Sequence, residues 1–196
     1  MAMTSNQKTA AAFFGAVALT CAASAAYLLT TGIDNESISL ALRVSGRVAF
    51  VVLIIVFAAR PLQQLLKAPW TAKLLRNRKL LGVAFAGIHT AHLGLILMRD
   101  AHVPEFDLVV NLPGATVYSF MYLMVITSFS GPARAIGPKA WKVLHKLGLF
   151  VMFYGFSMSQ IPRSLDQLEL VNAILIVLAA AALLVRIVAF FKNRGS

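Results

Sequence analysis

Three of the four histidines lie inside long apolar stretches, where an ionisable side chain is costly and marks a functional position by default. His89 and His92 are one helical turn apart, about 4.5 Å along the axis, in a run bounded by Lys79 and Arg99. His145 sits in the second turn of another run, between Lys142 and Lys146. Imidazole is a strong axial ligand for haem iron. Two imidazoles from different helices can clamp a porphyrin with no open coordination position, which suits outer-sphere electron transfer. The same side chains can instead hydrogen-bond neighbouring helices as staples, and residue types alone leave both open. His102, past Arg99 and Asp100 and beside Pro104, reads as a solvated loop residue.

Other residues could serve such a site. Arg43 and Arg47 are four apart on one helix face, and guanidinium groups hold carboxylates with two parallel bonds. They are candidate clamps for haem propionates, or long side chains snorkelling to headgroups. Gly46 between them allows a close approach. The basic cluster of Lys73, Arg76, Arg78 and Lys79 with Lys139, Lys142 and Lys146 suits docking of an acidic flavoprotein or guidance of a quinone headgroup, and equally the attraction of anionic lipids. Phe150, Phe153 and Phe156 line a cofactor pocket or face lipid.

The elements that carry these residues follow from composition. The chain has 196 residues, 59% hydrophobic and 13% charged, far below the charge content of a soluble domain. A bilayer span needs about 20 apolar residues. The pattern predicts an all-α bundle of six transmembrane helices over 9–31, 36–62, 79–99, 112–132, 140–160 and 169–191, one domain over 1–196. The second must reach back through Arg47 and Arg43, because the interval from Arg47 to Arg60 is too short to cross. The first, uncharged from Thr9 to Ile33, is longer than the apolar core of a cleavable signal.

Lys and Arg collect on the cytoplasmic side of short loops. With both termini cytoplasmic, all of the 18 Lys and Arg except Arg43, Arg47, Arg99 and Arg163 fall at the inner face, and all 7 acids fall outside. The net charge of +11 is therefore topological and no nucleic-acid footprint. A single cysteine excludes an intramolecular disulfide framework. No phosphate loop, paired-cysteine metal spacing or internal repeat is present, so a flavin or nucleotide domain belongs to a separate molecule.

Local motifs sharpen these alternatives. Arg78-Lys79-Leu80-Leu81-Gly82, with His92-Leu93 ten residues after the glycine, resembles the R-R-x-L-G…H-L opening of the third helix in the MsrQ family. This is a branch of the ferric-reductase-like transmembrane superfamily. Ser45-Gly46-Arg47, with an apolar run ending at Arg60-Pro61-Leu62, is similar to that family's second helix, and Trp141-Lys142-Val143-Leu144-His145 to its W-x-x-L-H start of the fifth. The likeness runs from about Ser45 to Ser159.

The resemblance implies a haem-b subunit of the bacterial inner membrane. It would pass electrons from a cytoplasmic flavin reductase, carrying FMN or another flavin, or from a quinol to a periplasmic molybdopterin-containing methionine sulfoxide reductase. Such a subunit has no substrate-reducing site of its own. The resemblance gives His92 and His145 the iron-ligand roles and supports Arg47 as a propionate clamp, with His89 as the alternative ligand. The family has a further histidine thirteen residues after the one matched by His145, where this chain has Met158. The expectation is one haem held by His145 with His92 or His89. Two haems, or Met158 as a thioether ligand opposite His92, are the alternatives. A divergent ferric-reductase-like protein with another acceptor, or a transporter or structural subunit with no redox role, are the competing functions.

Overall fold

The computed structural model describes residues 3–101, 108–166 and 170–194, without the side chains of 108–111 and 160–166. His102, Glu105, Asp107 and Glu169 lie outside the described residues. Six helices follow one another: α1 (Ser5–Thr31), α2 (Asn35–Leu66), α3 (Pro69–Asp100), α4 (Leu108–Ile126), α5 (Ser130–Asp166) and α6 (Leu170–Arg194). α2 runs through Arg43 and Arg47 without interruption, as its length requires.

The helix ends follow from local chemistry. Thr4 and Gln7 form a reciprocal capping box at the start of α1, each side chain accepting from the other's backbone N–H. Gly32, at φ 99°, closes α1 in a backbone region that side chains with a Cβ avoid. Asp34 caps α2 by accepting from the Ser37 N–H at 2.8 Å, and Pro69 starts α3 where its missing N–H costs nothing. Gly137, at φ 75°, breaks α5 into a short leading piece and a long continuation.

α2 is the central helix and packs on α1, α3, α5 and α6. Its Phe50 and Phe57 are fully buried and stack on Phe156 and Phe153 at ring separations of 5.7 and 4.0 Å. Phe150, by contrast, is partly exposed and meets Phe57 edge-on. Gly87 sets how closely α1 can lie on α3: a Cβ there would come within 2.5 Å of the Phe13 carbonyl oxygen and 2.9 Å of the Ala16 methyl. Asn6 ties the start of α1 to the α4–α5 turn, donating to Ser130 Oγ at 3.0 Å and accepting from its N–H at 3.2 Å.

Four helices, α1, α2, α3 and α6, are each long and apolar enough to cross a bilayer. α4 and α5 form a bent pair, with 110° between 112–126 and 130–159, which raises the number to five if the pair makes one crossing. The expected separate fourth and fifth crossings therefore do not stand out by length and composition. The stretch 112–126 is apolar but shorter than the about 20 residues a crossing needs, and the charges of Arg134, Lys139, Lys142 and Lys146 interrupt the apolar run in α5.

Candidate functional site

The ends of α2, α4 and α6 and the starts of α1, α3 and α5 surround a cavity of about 1210 Å³. That is large enough for a cofactor. Its walls are apolar, with Leu53, Phe85, Ala86, Met121, Leu149 and Met152 among them. Its rim carries Arg60, Arg76, Arg78, Lys79, Lys142, Lys146, Arg186 and Arg194, and no Asp or Glu is among its described lining residues.

Pro61 explains how one of these arginines is held. Proline has no N–H, so the Phe57 carbonyl four residues earlier loses its helical partner. Arg186 Nη1, from α6, donates to that oxygen at 3.2 Å, and Arg78 Nε, from α3, donates to the neighbouring Val56 carbonyl at 3.0 Å. The Arg186 head also lies 4.3 Å from the Phe57 ring centre and 4.6 Å from that of Phe150. Sequence reasoning placed Arg60, Arg78 and Arg186 at the basic face and missed their convergence. The signal was available in the proline that follows Arg60 and in a lone arginine within the apolar sixth helix.

His145 lines this cavity. Its ring stacks on Trp141 at 4.2 Å, and its Nε2 is 3.0 Å from Thr127 Oγ1. Trp141 Nε1 donates to the Thr127 carbonyl at 2.8 Å, so one residue just past the end of α4 orients both rings. The Thr127 hydroxyl already donates to the Leu123 carbonyl at 2.7 Å.

His89 and His92 lie elsewhere. His92 Nδ1 is 2.9 Å from Ser45 Oγ on α2, and Ser45 donates to the Ala41 carbonyl at 2.8 Å. Gly46 keeps this contact open, since a Cβ there would meet His92 Cε1 at 3.4 Å. His89 is buried in a ring stack, 4.5 Å from Tyr118, 5.0 Å from His92 and 4.8 Å from Phe156. Its Nδ1 is buried with no hydrogen-bond partner among the described residues.

His145 and the other two imidazoles lie at different levels along α5. His89 touches Phe156, eleven residues beyond His145 on α5, a rise of about 16 Å. The structure brings His89 to His92 and sets His145 apart. Met158 is two residues past Phe156, about 200° around the helix from the side that meets His89, and is 43% exposed. Arg43 and Arg47 are half-buried on α2 near the His92 level, and Arg43 Nε is buried with no hydrogen-bond partner among the described residues. Neither lines the cavity. Of the candidate phenylalanines, Phe150 lines the cavity while Phe153 and Phe156 fill the core.

An apolar helical bundle that encloses a cationic-rimmed cavity with an imidazole in its wall is a membrane protein suited to an anionic, largely apolar ligand. The ferric reductase like transmembrane component family matches residues 45–156, more than half of the chain, and the protein belongs to that family. Its role is therefore in membrane electron transfer, in a multi-pass protein. Searches of curated proteins and of solved structures give no match.

Proposed function

We propose that the protein is a haem-b electron-transfer subunit of a bacterial inner membrane, with six crossings and both termini in the cytoplasm. In this reading it takes electrons from a cytoplasmic flavoprotein or a quinol and delivers them to a periplasmic acceptor. The motif likeness to the MsrQ family makes a methionine sulfoxide reductase the acceptor proposed.

The observation that carries the reading is the cavity. It offers His145 as a nitrogen donor, an apolar wall for a macrocycle, and arginines with no acid among the described lining residues. That donor set fits a haem, which would supply a one-electron ferric–ferrous couple. The chain's own part is to orient the imidazole through Thr127 and Trp141, present apolar Phe and Met walls to the ring, and neutralise acidic groups at the rim. Among the described residues no three His, Cys, Asp or Glu side chains converge. A single imidazole in the described cavity wall suits an iron whose equatorial ligands come from a ring. Histidines at two depths favour two relay levels, with His145 near the basic end and His92 and His89 beyond it.

The test is purification from haem-replete cells followed by a reduced-minus-oxidised spectrum and a haem-to-protein ratio. A b-type spectrum that weakens in His145→Ala supports the reading. A colourless protein rejects it and favours a transporter or structural subunit.

A further inference from the structure

We propose that Arg60, Arg78 and Arg186 form a receptor for a pair of carboxylates at the mouth of the cavity, and that these carboxylates belong to the tetrapyrrole itself. The inference rests on the haem reading and adds to it the place where the acidic edge of the ring is held.

Three cations from three helices meet at one cavity, and no described lining residue is an acid. Their repulsion is relieved by an anionic ligand. Snorkelling would carry these heads outward to the headgroups, yet two of them are drawn inward. Arg78 and Arg186 each spend one donor on a carbonyl of α2, at Val56 and at Phe57, the latter released by Pro61. Fixing one edge of a guanidinium leaves its other donors aimed and pre-organised, the condition for bidentate capture of a carboxylate. The aromatic faces of Phe57 and Phe150 under Arg186 keep water off that head and strengthen its pairing. His145 lines the same cavity, so ring iron and acidic edge have receptors in one enclosure. Arg43 and Arg47 cannot serve this enclosure: Arg47 is thirteen residues from Arg60, about 20 Å along α2.

The test compares haemin with its dimethyl ester, which keeps iron and ring but has no carboxylate charge. Apoprotein from haem-deficient cells, in phosphatidylcholine nanodiscs, is titrated with each and followed by absorbance. Wild type is expected to bind haemin at least about tenfold more tightly than the ester, the effect of one charge-assisted bond pair. Arg60→Gln, which breaks no bond to α2, is expected to reduce that ratio several-fold, and Arg60→Gln with Arg186→Gln to bring it near one. Arg186→Lys, with unchanged helicity by circular dichroism, should retain an intermediate ratio. Equal binding of the two ligands by wild type, or an unchanged preference in the double variant, overturns the receptor while leaving haem binding intact. Failure of both ligands to bind wild type overturns the haem reading as well. Loss of the haemin preference in discs containing phosphatidylglycerol assigns the arginines to lipid phosphate and overturns the proposal.

Discussion

The two ends of this bundle treat their histidines in opposite ways. At the basic end, His145 borders a cavity and is held by a threonine hydroxyl and an indole. Toward the other end, His89 and His92 are packed ring against ring with Tyr118 and Phe156, and Gly46 brings α2 up to the His92 edge. Space and charge at one end and close packing at the other mean that the same residue type can receive a ligand in one place and stabilise the helices in the other. Where a second relay level exists, it must form by displacing part of that ring stack.

The sharpest way to break the comparison is to remove one imidazole at a time. His145→Ala is expected to lower the haem-to-protein ratio by tenfold or more, at least the loss seen on removing the partner that orients a ligand. His89→Phe, which preserves the stack and removes an unpartnered nitrogen, should leave the cavity haem in place. Equal losses from both substitutions would mean that the two levels are one site. A packing test comes next. Gly87→Val places carbon against the Phe13 carbonyl and should cost about 1–3 kcal/mol by overpacking, read as an earlier melting transition in detergent. Gly94→Val, on the same helix with nothing near its missing Cβ, serves as the control.

The hydroxyl partners allow a finer comparison. Ser45 is buried and holds His92, so Ser45→Ala is expected to cost about 1 kcal/mol of stability. Thr127→Ala should cost less, because the cavity can admit water to His145, and its main effect should be on the midpoint potential of bound haem. If Thr127→Ala is the more damaging to stability, the cavity is drier than the charges around it suggest.

Much of this arrangement was legible in the sequence. Charge-free runs marked out apolar helices, and the shortage of residues between Arg47 and Arg60 already demanded that α2 carry its arginines within the helix. Single-residue motifs also pointed to His145 and Gly46. What could not be read was convergence. His89, His92 and His145 share a chemistry, but only the register of α3 against α5, set by the stacking of His89 on Phe156, reveals that they occupy different depths. The arginine cluster was hidden for a related reason. Arg60, Arg78 and Arg186 are far apart in sequence and each has a sufficient explanation in charge topology, so only the carbonyl that Pro61 leaves open to Arg186 and the Val56 carbonyl that holds Arg78 show what draws two of them inward beside the third.

The smallest expected effect lies at the end away from the cavity, where Asp34 caps α2. Its carboxyl is held below the ordinary carboxylate value chiefly by the Ser37 backbone N–H, and the group is fully exposed. A depressed folded-state value means that the charged cap stabilises the helix above the unfolded value, near pH 4, and that this contribution disappears as pH falls through the folded one. Melting temperature in detergent should therefore fall slightly as the solution is acidified below about pH 4. Asp34→Asn keeps an oxygen that can accept from Ser37 but removes the titration, so its acid-side slope should be flatter than that of wild type. An identical slope in the two proteins would assign the acid sensitivity to other carboxylates. A steeper loss in wild type than an exposed cap can provide would show that α2 is less secure at this end than its central packing indicates.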